Sequence, residues 1–192
     1  MRTLKQYILE EMPKHYSGEI VYQKDSKFIP ISVRNVSDYI TIAENAGLVY
    51  CVHPQQTFGY VFNVEDLQSN KQSVVPVMHL SLRETPIKGY KQVHNLRIQE
   101  KYSKTNVATI WYTAYVKKFG GVVSDKEHLQ GGKLLWKSFI KKATEDSTFN
   151  VSLVNFNTGA VLMSHVNTDT PDDQIWSSDD SKTNNVLVFE KQ

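Results

Sequence analysis

The chain has a single cysteine, Cys51, among its 192 residues. One thiol cannot form an internal disulfide, and it cannot supply a structural zinc site built on several thiolates. A reducing compartment is therefore favoured, and we expect a cytoplasmic location. Cys51 itself is interpreted as a small buried hydrophobic side chain. The alternative is a catalytic thiol with His53 as its basic neighbour, because residues two apart on a strand share a face.

Long apolar runs and a large excess of one charge are also absent. No run approaches the length of a membrane span, and residues 1–18 carry charges where a secretory signal needs an apolar centre. We therefore expect no membrane partner. The formal net charge of +2 provides no global attraction for nucleic acid. Nucleic-acid binding would require the lysines between residues 91 and 142 to gather on one face, and a solvated lysine surface is the alternative.

What the chain does contain is typical of a folded protein. Its composition is 40% hydrophobic, 22% charged and 11% aromatic, which is ordinary for a globular chain. Its length suffices for one well-buried domain, so residues 1–192 are predicted to form one. Residues 1–20 are predicted as an N-terminal helical appendage, because Leu4, Ile8 and Met12 have helical spacing before Pro13.

Residues 93–143 give the most informative pattern: strand, polar loop, helix, short strand and helix. Residues 93–99 are predicted as one strand. Apolar residues then recur at helical spacing over residues 105–119, with Ser103 or Thr105 as the cap and glycines at the end. Residues 121–124 are predicted as a strand parallel to residues 93–99, with a right-handed connection. Trp111, on the apolar side of the helix, is expected to be buried.

The second helix of this region contains an unusual glycine pair, Gly131 and Gly132, near its start. Glycine in a helix interior costs about 1 kcal/mol relative to alanine. Either a ligand or another backbone approaches closely there, or the helix begins after Gly132. Ser124 and Glu127 have the spacing of a capping box before this helix.

The remaining elements complete a mixed fold. In chain order we predict an edge strand over residues 28–33, a helix over 36–46 that ends at Gly47, a hairpin of residues 48–52 and 58–64, a loop over 65–73, a strand over 74–82, a hairpin of residues 151–156 and 160–166, a long loop anchored by Trp176, and a last strand over 186–189. The fold class is therefore α/β (α+β). It is a mostly antiparallel sheet with a parallel strand pair in the middle and helices on both faces.

With the elements in this order, residues 58–189 resemble the GNAT superfamily of acyl-CoA N-acyltransferases. The similarity is greatest to divergent GNAT-like proteins of bacteriophages, through GGVVSD at residues 120–125 and GGKLLW at residues 131–136. The resemblance implies a GNAT-like domain that uses acetyl-CoA as its cofactor. It also implies that the acyl-CoA lies in a slot where two parallel strands splay apart. If the chain is encoded by a phage, its location would be the host cytoplasm or the virion.

The resemblance also implies where the cofactor binds. In this superfamily a loop before a helix holds the pyrophosphate through backbone N–H groups, in the pattern Arg or Gln, two residues, Gly, one residue, Gly or Ala. The pattern falls on Ser103, Asn106 and Ala108, and only Ala108 fits it. Asn tolerates the left-handed conformation best after glycine, and Lys101 and Lys104 could supply charge to a phosphate. The implied cofactor-binding residues are Ile98, Gln99, Ser103, Lys104, Asn106, Val107 and Ala108, and the alternative is an ordinary capped helix.

The candidate catalytic residues are Glu84, His94 and Tyr112. GNAT enzymes commonly take a proton from the amine through a Glu or an ordered water and return one to the thiolate from a Tyr on the fourth helix. That helix offers Trp136 here, which has no acidic proton. Glu84 and His94, together with His79, are the candidates for the base, whereas Tyr112 follows the proposed phosphate loop. Structural roles are the alternative for each of them.

Two functions are compatible with these residues. The first is transfer of an acetyl group from acetyl-CoA to the amine of a small molecule or a protein. The second is a catalytically inactive GNAT-fold phage protein that binds a protein partner as an interaction, host-takeover or virion component. Position 106 and the missing Tyr favour the second function, and the order of elements favours the first.

Overall fold

The computed structural model describes residues 19–20, 31–33, 36–69, 74–125, 130–176 and 184–192. The N-terminal helix predicted around residues 4–12 and Glu127 of the predicted capping box lie outside the described residues. None of the described helices is long and apolar enough to cross a lipid bilayer.

A nine-stranded sheet forms the frame of the protein. Its strands, in chain order, are β3 (Ile40–Asn45), β4 (Leu48–Val52), β5 (Phe58–Asn63), β6 (Met78–Glu84), β7 (Lys91–Ile98), β8 (Gly121–Val123), β9 (Phe149–Asn155), β10 (Val161–Met163) and β11 (Asn185–Lys191). Their spatial order is β10-β9-β11-β8-β7-β6-β5-β4-β3. Strands β1 (Glu19–Ile20) and β2 (Ile31–Ser32) form a separate antiparallel pair.

The sheet is antiparallel except where β7 and β8 run parallel. The helices are α1 (Val64–Gln68), α2 (Val107–Phe119), α3 (Gln130–Glu145) and α4 (Asp172–Ile175). Helix α2 connects β7 to β8, as predicted for the parallel pair. The predicted mixed fold class is confirmed, and so is the hairpin of β9 and β10 around Gly159, whose φ is 70°.

The helix predicted over residues 36–46 is wrong. A short 3₁₀ turn at Val36–Asp38 precedes strand β3, which pairs along its length with β4. Ala46 and Gly47 have φ angles of 48° and 75° and form the two-residue turn between them. Gly47 therefore closes a hairpin, because pairing with β4 outweighs the weak helical spacing of this segment.

Three other boundaries differ from the prediction. The loop predicted over residues 65–73 begins with helix α1. The strand predicted over residues 74–82 starts only at Met78. Val74 lies outside it and makes an isolated bridge to Val33. The long loop after residue 166 contains helix α4, and Trp176 at its end packs against the main core.

Both long helices, α2 and α3, pack on one face of the sheet. The main core lies between them and side chains that alternate along the strands, such as Leu80 in β6, Val122 in β8 and Phe189 in β11. The opposite face carries smaller apolar clusters, one of which includes Leu67 of α1. Helices therefore lie on both faces, with the two long ones together.

Trp111 in α2 fixes the position of this helix on the sheet. It is fully buried, as predicted, and its ring stacks on Tyr115 at a centroid distance of 4.9 Å. Its Nε1 donates a hydrogen bond of 3.0 Å to the carbonyl oxygen of Cys51 in β4. A Cβ atom at Gly59 in β5 would lie 2.3 Å from the indole ring. Gly59 is therefore needed so that the indole can approach the strand.

The ends of α2 agree with the prediction only in part. Gly120, with φ of 93°, ends the helix as expected. The predicted caps are wrong: the hydroxyls of Ser103 and Thr105 donate to the carbonyl oxygens of Glu100 and Tyr102 at 2.7 Å. Each hydroxyl closes a local turn in the preceding loop instead of capping α2.

The close fit of Trp111 against Gly59 predicts coupling between the two positions. We expect Gly59→Ala to destabilise the fold by about 1 to 3 kcal/mol, because the new Cβ displaces a packed ring. Trp111→Phe removes part of that ring, so Gly59→Ala should cost less in the Trp111→Phe background. Urea unfolding of the four chains measures the coupling. Equal costs of Gly59→Ala in both backgrounds would contradict this packing.

Candidate functional site

The parallel strands β7 and β8 separate soon after they meet. They are in register at only two pairs, Lys91 with Val122 and Gln92 with Val123. Strand β8 ends there, whereas β7 continues to Ile98. Among the described residues, the later part of β7 therefore has a strand neighbour on one side only. The gap lies in the middle of the sheet.

A cavity of about 710 Å³ occupies this gap, and we call it the interstrand cavity. Its walls come from β7, the loop before α2, the first turns of α2, the residue two past β8, and α3. The lining residues are Val93, Asn95, Leu96, Arg97, Ile98, Ser103, Lys104, Thr105, Ala108, Thr109, Tyr112, Asp125, Gly132, Leu134, Leu135, Trp136 and Ser138. The volume is within the range of roughly 300 to 1,000 Å³ found for small-molecule sites.

A β-bulge distorts β7 where it lines the cavity. Asn95 has φ of 52°, and the pairing with β6 shifts between His79 and Ser81. Two residues of β7, Asn95 and Leu96, therefore lie opposite one residue of β6. A bulge takes one residue out of the ladder and bends the strand. Asparagine adopts the left-handed conformation more readily than other residues with a side chain, so Asn95 suits the bulged position.

His94 and Asp125 connect the two sides of the gap. His94 Nδ1 lies 2.8 Å from Asp125 Oδ2, with the side chains 24% and 34% exposed. Because a carboxylate only accepts, we assign the hydrogen to Nδ1, which leaves Nε2 as the acceptor of the ring. The pairs Ser81 with His94 and Leu82 with Val93 place His94 on the face of the sheet opposite the long helices.

Tyr112 lies on the helical side of the same cavity. Its ring is 2% exposed and lies among Trp111, Trp136 and Phe139. Burial raises the pKa of the Tyr112 hydroxyl, and the negative charge of Asp125 raises it further. The hydroxyl therefore keeps its proton at neutral pH. Asp125 and Tyr112 line the interstrand cavity, whereas His94 lies outside its lining and is joined to it through Asp125. The three side chains offer a carboxylate, a protonated hydroxyl and an imidazole that the carboxylate orients.

The predicted cofactor residues divide into two groups. Ile98, Ser103, Lys104 and Ala108 line the interstrand cavity. The other predicted cofactor residues, Gln99, Asn106 and Val107, do not belong to its lining. The Gln99 amide donates to the carbonyl oxygen of Pro76 at 3.0 Å, and Val107 is part of the main core.

Asn106 does not use the left-handed conformation that asparagine tolerates. It is the residue immediately before α2, with φ of −81° and ψ of 18°. Any residue reaches this region of backbone space, so position 106 does not require glycine. The loop here is built on the turns that Ser103 and Thr105 close, not on a left-handed residue.

Three other candidates lie away from the cavity. The Glu84 side chain is 80% exposed and pairs with Lys91. His79 is buried, and its pairing opposite Arg97 puts it on the face away from α2. Burial raises the pKa of the Cys51 thiol to about 11. The buried position of Cys51 in an apolar cluster with Tyr60 and Phe62 favours its interpretation as a small hydrophobic side chain over that of a catalytic thiol.

Several cavity residues did not emerge from the sequence. Asn95 and Arg97 alternate normally with apolar neighbours, and nothing in the local pattern marks a bulge. Asp125 follows β8 and could be interpreted from the sequence either as a ligand-facing carboxylate at a strand end or as a cap of the next helix, but its pairing with His94 could not be predicted. The glycine pair was the one usable signal: both glycines lie inside α3, and Gly132 lines the cavity. The alternative of a helix that begins after Gly132 is therefore wrong.

Comparisons with known proteins do not add to this geometry. No protein-family model, no curated protein and no solved structure matches the chain. Among the described residues, no group of His, Cys, Asp and Glu side chains has the arrangement of a metal site. The geometry of the interstrand cavity is therefore the basis on which a function can be proposed.

Buried His79 should make the fold sensitive to acid. Burial, and then the charge of Arg97, lowers the pKa of His79 to about 3, whereas an unfolded histidine has a pKa of about 6.5. Below pH 6.5 the unfolded chain binds a proton at this histidine that the folded chain excludes. The free energy of unfolding therefore decreases as the pH is lowered. This effect amounts to roughly 2 kcal/mol at pH 5. We expect His79→Gln to reduce the stability difference between pH 7 and pH 5 by roughly that amount.

Urea unfolding at the two pH values provides the measurement. His165→Gln is the matched control, because it removes a histidine whose ring is exposed and bonded to Asn150. This control should retain the full loss of stability at pH 5. The interpretation fails if His79→Gln loses as much stability on acidification as the parent chain.

Proposed function

We propose that the chain is an acyl-CoA N-acyltransferase-like protein whose cofactor occupies the interstrand cavity. The observation that carries the proposal is the separation of β7 from β8 after two residue pairs. The resemblance to GNAT proteins implies a slot of this kind between parallel strands. The cavity has a suitable volume, and it is bounded by the same loop that the resemblance assigns to the cofactor phosphates.

The two ends of the cavity suit different parts of an acyl-CoA. Near α2, the first N–H groups of a helix of 13 residues have no partner within the helix, and they attract phosphate groups. The Lys104 ammonium lines the cavity at this end and adds a positive charge. Farther along, Leu96, Ile98 and Leu135 supply apolar surface for the pantetheine arm.

The side chains around the gap suit acyl transfer to an amine. Acetyl-CoA would supply the thioester, whose C–S bond is exchanged for a C–N bond to the attacking amine. Asp125 lines the cavity and accepts a hydrogen bond from His94 Nδ1, and this pair would take up the proton that the amine loses and pass it to the departing thiolate. The Tyr112 hydroxyl would donate a hydrogen bond to that thiolate, because burial raises the pKa of Tyr112 and opposes loss of its proton. The centroid of the Tyr112 ring lies 6.2 Å from that of Trp136. Tyr112 therefore places a hydroxyl close to Trp136, which stands on the helix where the resemblance implies a tyrosine.

Position 103 favours the second candidate function, a GNAT-like protein without catalysis. The resemblance calls for Arg or Gln there, and the hydroxyl of Ser103 is engaged with Glu100. Such a chain would retain the cavity but hold the cofactor phosphates less firmly. Its role would be to bind a protein partner.

Binding of coenzyme A tests the proposed function. A ligand at one hundred times its dissociation constant stabilises a fold by about 2.7 kcal/mol, which raises the melting temperature of a chain of this size by roughly 5 to 10 °C. We expect such a shift with coenzyme A and acetyl-CoA and a smaller one with ATP. Lys104→Glu should weaken coenzyme A binding roughly tenfold, because it reverses a charge beside the phosphates.

Lys101→Glu is the matched control, since it makes the same charge change in the same loop at a residue outside the cavity lining. It should preserve the shift. The two functions are then separated by the release of free coenzyme A thiol from acetyl-CoA in the presence of amines. Binding with amine-dependent release supports the transferase, and binding without release supports the inactive protein. No shift at millimolar coenzyme A contradicts the transferase and is compatible only with the inactive protein.

A further inference from the structure

A second groove, distinct from the interstrand cavity, runs along the outer side of α2 between β3 and α3. It has a volume of about 710 Å³. One wall is apolar and includes Ile42 of β3 and Ile110 of α2, and the far end carries Lys117, Lys118 and Lys142. We call it the lysine groove. It lies beside the interstrand cavity, because Thr109 and Ser138 line both.

The three lysines come from two helices but meet at one place. Lys117 and Lys118 occupy the last turn of α2, and Lys142 the last turns of α3. The Nζ atoms of Lys117 and Lys142 lie 5.9 Å and 5.1 Å from the centroid of the same ring, that of Phe149. Two ammonium groups close to one ring concentrate positive charge at this end of the groove, which favours the approach of an anion.

Carboxylates of the chain neutralise this cluster only in part. None of the three lysines forms an ion pair with a carboxylate of the described residues, in contrast to Lys137 with Asp172 and Lys141 with Glu145 on the same helix α3. Asp146 is the acidic group nearby. Its pKa is lowered by hydrogen bonds from Thr148 and, to a lesser degree, by Lys142 and Lys117.

We propose that the lysine groove is a docking site for an acidic segment of a partner protein that also carries aliphatic side chains. Charge complementarity identifies the acidic part, since carboxylates fit beside the three ammonium groups. The apolar wall formed by Ile42 and Ile110 takes the aliphatic part. Among the described residues, no aromatic side chain lines the groove. Single-stranded nucleic acid, whose bases stack on aromatic rings, therefore fits it less well.

This proposal does not depend on acyl transfer. It identifies a surface and a class of partner, whereas the interstrand cavity concerns a small cofactor. The lysines of this region also divide into two groups. Lys117, Lys118 and Lys142 line the lysine groove, whereas Lys137 and Lys141 of α3 form ion pairs with carboxylates.

A short fluorescein-labelled peptide of glutamates, leucines and serines is the probe, and fluorescence anisotropy at low salt is the measurement. We expect saturable binding that weakens as salt is added, because screening acts on exposed charges. Lys117→Gln with Lys142→Gln should weaken binding about tenfold, since loss of one exposed ion pair weakens binding up to roughly fivefold. Ile42→Ser should weaken it as well.

The matched control is Lys137→Gln with Lys141→Gln, which removes the same charge from already paired lysines of α3. It should leave peptide binding within about twofold of the parent chain. Peptides with lysine in place of glutamate, or serine in place of leucine, should bind weakly. The proposal is overturned if the labelled peptide does not bind or if the control pair weakens it equally. It is also overturned if a single-stranded oligonucleotide binds more tightly than the peptide. A third contrary result would be that coenzyme A displaces the peptide and that the Lys117→Gln, Lys142→Gln variant binds coenzyme A more weakly than the parent chain does, because the groove would then be part of the cofactor site.

Discussion

The two-residue parallel pairing between β7 and β8 is the constraint on which the candidate site depends. Hydrogen bonding joins the strands at Lys91 and Gln92 and then stops. Antiparallel pairing with β6 and β11 holds the two strands on their outer sides, so they cannot close the gap between them. The interstrand cavity thus follows from the different lengths of two strands in an otherwise continuous sheet.

Helix α2 serves both the core and the cavity. Its buried side is fixed by Trp111, which rests against Gly59 and bonds to β4. The same helix presents Ala108 and Tyr112 to the interstrand cavity. Rigid attachment of α2 to the sheet therefore sets the position of Tyr112 relative to Asp125. The tight packing around Trp111 therefore affects the shape of the interstrand cavity as well as the stability of the fold.

The sequence predicted best where one signal was sufficient. Helical spacing from Val107 to Phe119 with Gly120 after it predicted α2, and the short apolar segment that follows predicted a parallel β8. It failed at residues 36–46, where pairing with β4 decides the conformation and local spacing misleads. The bulge at Asn95 and the pair of His94 with Asp125 were out of reach, because they depend on register and on residues 31 apart in the chain.

The most direct test of the account is a crystal structure of the chain grown with millimolar coenzyme A. The account predicts that the cofactor lies between β7 and Asp125, with its phosphates beside Lys104 and the start of α2. Asp125 and Tyr112, which line the cavity, should then lie close to the sulfur atom. Coenzyme A bound elsewhere, or strands β7 and β8 paired along their whole length with no space between them, would contradict it.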